Sequence, residues 1–277
     1  MKQIRRNNLI PFRNPKTRAE QTSFPSEKQI FEEELEQAVE KRQFVMHYQA
    51  QIDLVTNRMR GMEALIRWNH PRHGLLSPID FIELAESNGQ IGSIGRWIIH
   101  ECCRQAKHWK KYKKNFRMSI NISILQLDHS LLDTLLQALR ENELEASMLE
   151  IELTETAACS DIESKKPLLK AIRRMGITIA LDDFGTGYSS LQYLDMLPVD
   201  YLKVDRSFVR KMHRRKELAS MIIELGHYMN LEVIAEGIET QAQRDQLRSF
   251  GCDYGQGYFF CRPMSASEFE GIYFVGN

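Results

Sequence analysis

From residue 117 onward, short β-branched runs alternate with amphipathic stretches, and no other feature narrows the fold so far. The strand-like runs are 117–122, 149–153, 177–181, 201–204 and 232–235, with a last short one at 254–258. Helical patterns follow at 130–141, 163–174, 190–196, 216–228 and 241–250, and a terminal helix starts at Ser265. Such alternation implies a largely parallel sheet, because each crossover helix returns the chain to the same end of the sheet. Upstream lie two strands in succession, 44–52 and 59–68, then a loop at 69–74 and helices at 80–87 and 92–114. A helix at 28–41, capped by Ser26, carries Ile30, Phe31, Leu35 and Val39 on one face. Eight strands, most followed by a helix, fit a closed α/β barrel of the (β/α)8 TIM type, about 250 residues long, better than an open sheet.

Charge and cysteine content exclude several classes. Lys+Arg and Asp+Glu each total 37, so net charge points to neither DNA nor a membrane surface as partner. No apolar run approaches the ~18 residues of a membrane span, and the N-terminus lacks the apolar core of a signal peptide. The expectation is a cytoplasmic protein without a membrane span. Cys102, Cys103, Cys159, Cys252 and Cys261 are odd in number and lack zinc-type C-x-x-C spacing, so they read as reduced thiols. Residues 1–25 form a basic tail, with Lys2, Arg5, Arg6, Arg13, Lys16 and Arg18 ahead of the first acid, Glu20. It reads as a solvated leader or as an arm for a partner or anionic lipid. Residues 26–277 form the folded domain. Lys107, Lys110, Lys111, Lys113 and Lys114 suit a helix C-terminus, with a nucleic-acid patch as the alternative.

In a barrel of this type the active site lies at the C-terminal ends of the strands. The chain places oxygen donors there: Glu63, Asn121, Glu152 with Glu155 beyond it, Asp182 and Asp183, Asp205, Glu236 with Glu239 beyond it, and Gln256. Each alone is explained by a helix cap or an ion pair. Converging on one rim, so many acids repel one another unless cations neutralise them. Oxygen donors select Mg²⁺ or Mn²⁺, with Ca²⁺ as a further candidate, over zinc. Two ions about 3.5–4 Å apart, bridged by the paired Asp, would use this many donors and activate a water towards a phosphoryl group. Lys203 is the one cation at the rim. It holds or deprotonates that water, screens developing charge, or pairs structurally with Asp205 or Asp200. His70 and His73 sit on a Pro/Gly loop and do not read as zinc ligands. The residues alone therefore point to a metal-dependent hydrolase of phosphate esters.

Seven ordered blocks resemble the EAL domain, the bacterial cyclic di-GMP phosphodiesterase family. They are Glu63-Ala64-Leu65-Ile66-Arg67-Trp68, Asn121-Ile122-Ser123, Glu152-Leu153-Thr154-Glu155, Asp182-Asp183-Phe184-Gly185-Thr186-Gly187, Asp200-Tyr201-Leu202-Lys203-Val204-Asp205, Ala235-Glu236-Gly237-Ile238-Glu239-Thr240 and Gln256-Gly257-Tyr258. The resemblance implies a modified (β/α)8 barrel whose first strand runs against the others. It implies hydrolysis of cyclic di-GMP to linear pGpG with two Mg²⁺ or Mn²⁺ ions. It implies that Glu63, Asn121, Glu152, Asp182, Asp183 and Glu236 hold metal, with Lys203, Glu236 and Glu63 catalytic. Gln49, Arg67 and Gln256 would contact substrate. Glu155 and Glu239 would steady the loop after Asp183, through which the family also forms homodimers.

Two departures stand out. Gln49-Ala50 replaces the family's common Gln-Pro, which frees an N–H but removes no ligand. Only the short tail stands where the family often carries a sensory or cyclase domain, so sensing is expected to come from elsewhere. A catalytically silent cyclic di-GMP receptor or protein-interaction module is the alternative, although no ligand is lost. A barrel enzyme using Mg²⁺ for enolate chemistry is disfavoured by the seven blocks.

Overall fold

The computed structural model describes residues 27–113, 115–154, 162–185 and 191–275. Its strands are β1 (Phe44–Asp53), β2 (Met59–His70), β3 (Gly74–Leu76), β4 (Arg117–Asn121), β5 (Leu149–Thr154), β6 (Thr178–Phe184), β7 (Tyr201–Val204), β8 (Glu232–Ala235), β9 (Tyr254–Gly255) and β10 (Met264–Ser265). Strands β2, β4, β5, β6, β7, β8 and β9 are successive parallel neighbours. β1 pairs antiparallel with both β2 and β9 and closes the ring. The fold is thus the modified barrel that the resemblance implied, its first strand reversed. Reversal follows from the β1–β2 connection, which is a short turn rather than a crossover helix. Asp53 Oδ1 fixes that turn by accepting from the Val55 and Thr56 N–H groups, both at 2.8 Å.

The helices are α1 (Glu27–Ala38), α2 (Ile82–Ser87), α3 (Ile91–Trp109), α4 (His129–Asn142), α5 (Ile162–Arg174), α6 (Leu191–Met196), α7 (Arg206–Tyr228), α8 (Gln241–Ser249) and α9 (Ala266–Glu270). They cover the outside of the barrel. On α3, Ile91, Ile94, Ile98, Cys102 and Trp109 recur at helical spacing and are buried, and each large apolar side chain of this kind stabilises by about 1.5–3 kcal/mol when withdrawn from water. Their partners are the outward residues of the strands, Met62, Ala64, Ile66 and Trp68 on β2 and Met118 and Ile120 on β4. The inward residues are polar to an unusual degree. Gln51, Ser119, Glu150, Glu152 and Lys203 are all buried inside the barrel. Among the described residues, no helix is long and apolar enough to cross a membrane.

Several element boundaries differ from the sequence reading. β2 continues to His70 and pairs with β3, so the expected loop at 69–74 is a hairpin. His70 is buried there, its ring stacked on Phe31 at 5.5 Å and its Nε2 3.1 Å from Glu34. α3 stops at Trp109; of the five lysines at and beyond its end, Lys114 lies outside the described residues and three are used locally. Lys107 pairs with Glu143, Lys110 with Glu145, and Lys113 donates to the Met59 carbonyl at 2.7 Å. α7 starts at Arg206, ten residues before its expected start at 216. β6 runs through Asp182 and Asp183 to Phe184 instead of stopping before them. Cys102, Cys103, Cys252 and Cys261 are free thiols, as expected. The tail at 1–25, Cys159, Glu155 and the loop at 186–190 lie outside the described residues.

Candidate active site

The strand-end acids converge on one ammonium. Lys203 Nζ lies 2.6 Å from Glu152 Oε2, 2.8 Å from Glu236 Oε1, 3.1 Å from Asp182 Oδ2 and 3.9 Å from Glu63 Oε2. The convergence follows from register. Glu152 on β5, Lys203 on β7 and Glu236 just past β8 point inward at similar heights, because alternate residues of a barrel strand share the inner face. Lys203 pairs with neither Asp205 nor Asp200. Asp205 caps α7 by accepting from the Ser207 N–H at 2.9 Å, and Asp200 pairs with Arg173 at 2.6 Å.

Asp182 and Asp183 are adjacent, so a regular strand would turn their side chains to opposite faces. The backbone avoids this. The β6–β7 register shifts between Leu181 and Phe184, and Asp183 adopts φ +56°. Asp is among the few residues besides Gly that enter this region readily. The bulge brings both carboxylates together with Glu236, and ligand oxygens of the three lie within 4.8 Å of one another. Gly237 then turns away with φ +67°, where a Cβ would stand 2.5 Å from Arg206 Cβ.

The electrostatics are those of an acid cluster with too little positive charge. Burial opposes ionisation of Lys203, but Asp182, Glu152 and Glu236 outweigh it and hold the ammonium protonated far above its ordinary range. Burial, and then Asp182, push the Glu236 carboxyl up to about 8 despite Lys203. Burial likewise raises Glu152 in spite of Lys203. Asp183 is raised by burial, then by Asp182 and Asp205. Four carboxylates around one ammonium, with Asp183 beside them, is the environment in which further cations are taken up. The donors are hard oxygens, which suit Mg²⁺ or Mn²⁺. Gln256 adds a buried Oε1 with no protein partner. The residues therefore fit a divalent-cation site.

Around the cluster, Asn121 Nδ2 donates to Glu63 Oε1 at 2.7 Å, and Gln256 Nε2 donates to Glu63 Oε2 and to Gln49 Oε1 at 3.0 Å. Gln49 in turn donates to the Cys261 carbonyl at 2.9 Å. Cys261 Sγ accepts from the Ala50 N–H at 3.3 Å. The N–H freed by the missing proline is thereby satisfied. Gln49, Glu63, Asp182, Glu236 and Gln256 line one cleft together with Leu65, Tyr258, Arg206 and Arg210. A second cleft of about 860 Å³ opens beside it, lined by Asn121, Glu152 and Asp183 and by the apolar Ile66, Ile79, Ile82 and Ile122. Arg67 stands one step further up β2 and lines neither cleft. It donates to the Ile66 carbonyl at 2.8 Å, and burial lowers its pKa against the pull of Glu63 and Tyr258.

Glu239 is half exposed, accepts from Arg210 at 3.2 Å, and its N–H donates to Gln243. Sequence reading missed Arg206 and Arg210, because it started α7 too late. The signal was present in Asp205, an N-cap residue directly ahead of them. It also missed the buried layer beneath the cluster. There Arg60 pairs with Glu150 at 2.6 Å, and its guanidinium lies 4.1 Å from the Tyr201 ring centroid.

Comparison with known proteins agrees with this geometry. The family model of the EAL domain matches residues 32–263. The chain is 42% identical over 240 residues to the bifunctional diguanylate cyclase/cyclic di-GMP phosphodiesterase MucR of Pseudomonas aeruginosa, covering 85% of this chain and 35% of that protein. It is 38% identical over 243 residues to the cyclic di-GMP phosphodiesterase PdeR of Escherichia coli, covering 86% of this chain and 37% of that one. It thus spans about a third of the length of these curated relatives. Among solved structures, the PaMucR phosphodiesterase in complex with c-di-GMP superposes with a TM-score of 0.82 at 41% identity, covering 85% of this chain and 98% of that one. The FimX EAL domain from Pseudomonas aeruginosa bound to c-di-GMP gives 0.75 at 25% identity, covering 83% and 94%. With its fold, its acid cluster and a family model matched over most of its length, the chain belongs to the EAL domain family.

Proposed function

We propose that the chain hydrolyses one phosphodiester bond of cyclic di-GMP to give linear pGpG. The observation that supports this reading most is the complete acid cluster at the strand ends, with Lys203 at its centre. The relatives named as cyclic di-GMP phosphodiesterases supply the substrate class. Glu63, Asn121, Glu152, Asp182, Asp183 and Glu236 would hold two divalent cations, Mg²⁺ or Mn²⁺. Bound there, the cations would supply Lewis acidity towards the phosphate and a water of lowered pKa.

The chain's own residues do the rest. In the metal-free cluster the Lys203 ammonium turns to Glu152, Glu236 and Asp182; once cations share those carboxylates, its part would be to hold or deprotonate the attacking water and to screen charge building on the phosphate. Gln49 and Gln256 hold Glu63 in one orientation through their linked amides and face the cleft the substrate would enter. Arg67, which lines neither cleft, would have to release the Ile66 carbonyl to present its forked donor pair to a phosphate at the rim. The apolar residues lining the adjoining cleft suit a nucleobase face.

The test is incubation of the purified chain with cyclic di-GMP and Mn²⁺ or Mg²⁺, following pGpG by chromatography. Product with wild type and its loss in Glu63→Ala and Lys203→Ala is the expected result. Tight binding without product would replace the enzyme with a receptor.

A further inference from the structure

Beneath the acid cluster lies a closed circuit of buried polar groups that the reaction does not itself require. Arg60 NH2 donates to Glu150 Oε2 at 2.6 Å, and NH1 donates to Gln51 Oε1 at 2.6 Å. Gln51 Nε2 lies 3.4 Å from both Ser119 Oγ and Glu152 Oε1. Ser119 Oγ donates to Glu150 Oε1 at 2.7 Å. Gln51, Ser119 and Glu150 are each 0% exposed.

The direction of every bond in this circuit is fixed by chemistry. A guanidinium only donates, so Gln51 must turn its carbonyl oxygen to Arg60. Its amide nitrogen, which only donates, then faces Ser119 and Glu152. The circuit ends on one oxygen of a carboxylate whose other oxygen is 2.6 Å from Lys203. Glu152 is thus gripped from below by Gln51 and from above by Lys203.

Arg60 reaches into the barrel through a backbone irregularity. Gln51 opposes Gly61 while Ile52 opposes Met59, which leaves Arg60 as the extra residue of a bulge. By strand alternation its side chain would face outward with Met62. The bulge aims it at Glu150 instead.

We propose that Gln51 is a positioning residue: its amide, locked by Arg60, holds Glu152 Oε1 and so orients that carboxylate towards Lys203 and the cation site. The proposal rests on the reading of the cluster as a metal-dependent hydrolytic centre. Losing an outer partner of a metal ligand typically costs about 10- to 100-fold in affinity or activity, and the 3.4 Å contact places the expected effect at the lower end, about tenfold.

The experiment uses the full chain stripped of metal. Mn²⁺ is titrated and free ion is read by electron paramagnetic resonance, and kcat and KM for cyclic di-GMP are measured at saturating Mn²⁺. The variants are Gln51→Met, which keeps the volume, and Gln51→Asn, which keeps the amide but is one carbon too short to span Arg60 and Glu152. The second guards against misfolding of the first. The expected result is about a tenfold weaker Mn²⁺ affinity, with kcat reduced and KM within about twofold. Arg60→Met should weaken Mn²⁺ binding in the wild-type background and add little to Gln51→Met, since Arg60 acts through Gln51. A fall in thermal midpoint with Mn²⁺ affinity and kcat unchanged would make Gln51 a structural member only and overturn the proposal. If wild type takes up Mn²⁺ but forms no product, the hydrolase reading fails, and the positioning role is decided by the Mn²⁺ titrations alone.

Discussion

Replacing Lys203 with Met isolates the one positive charge at the centre of the cluster. The substitution keeps an unbranched chain of similar volume, so packing changes little. What is lost is the counter-charge to Glu152, Glu236 and Asp182, which stand 2.6, 2.8 and 3.1 Å from Nζ. Removing one partner from a buried ion pair costs about 3–5 kcal/mol, because the other charge stays buried without compensation. At about 2–4 °C per kcal/mol for a chain of this size, the metal-free variant should melt on the order of 10 °C below wild type.

Two conditions should then modulate that loss in opposite senses. The first is pH. The folded-state pKa of Glu236 is raised from 4.5 to about 8. A group raised in this way favours the fold while protonated, and that contribution is lost as pH rises from about 4.5 through about 8. Without Lys203 the carboxyl is raised further, so the variant should lose little at pH 5.5 and most near pH 8. The second is metal. An ion held at about 100 times its Kd stabilises the native state by about 2.7 kcal/mol. Mn²⁺ no longer competes with an ammonium in the variant, so the midpoint gained on adding Mn²⁺ should exceed that of wild type. Differential scanning fluorimetry at pH 5.5 and 8, with and without Mn²⁺, reads all four conditions. Equal metal-free midpoints at pH 8 with equal Mn²⁺ shifts would refute the reasoning, since Lys203 would then not be what neutralises the cluster.

Asp183→Asn should leave the metal-free midpoint unchanged or higher, because it removes a carboxyl that burial and Asp182 disfavour while Asn still tolerates the +56° φ. Its Mn²⁺ affinity by titration should fall by more than the roughly tenfold typical of an outer partner. Gly61→Ala should destabilise by about 1–3 kcal/mol in urea unfolding, since its Cβ would stand 2.3 Å from the Arg117 carbonyl oxygen across the β2–β4 pair. Glu270 accepts from Trp109 and His108, both at 2.9 Å, and although burial pushes its pKa up these bonds hold it below the ordinary 4.5. Its contribution is therefore present above about pH 4.5 and lost as pH falls through the depressed value. Glu270→Gln should flatten the acid limb of the urea midpoint against pH.

The parts of the barrel that were legible in the sequence are those where pattern and burial agree. β7 and β8 fall at 201–204 and 232–235 as expected, because, Lys203 and the exposed Glu232 apart, their residues are buried and apolar or aromatic. The acids were legible because barrel geometry places strand ends together whatever the loops do. The first half of α7 was not. Between Arg206 and Arg215 the chain carries Arg206, Arg210, Lys211, Arg214 and Arg215, too few apolar residues to mark a face, and Arg215 breaks the helix with φ −142° and ψ 62°. The expected start at 216 is the helix resuming after that kink. His70 was placed in a loop because Pro71 and Gly74 follow it, whereas stacking on Phe31 and pairing with β3 carry the strand to its end.

The deeper failure has one cause. A sequence read at period two assigns every strand residue to a face by parity, and one inserted residue reverses the assignment locally. That happens at the two bulges already described, at Arg60 on β2 and at Asp183 on β6. By parity both side chains face the helices, where a charge would be stranded among apolar groups. In the fold one reaches Glu150 inside the barrel and the other joins Asp182 and Glu236. Each bulge gives up ladder regularity, and at Asp183 a backbone conformation that non-Gly residues seldom adopt, to deliver one extra charge to the interior. A fold selected for stability alone would have no use for either. That the two departures from strand parity lie in the metal cluster and in the circuit gripping Glu152 is itself an argument that the barrel interior is shaped around that site.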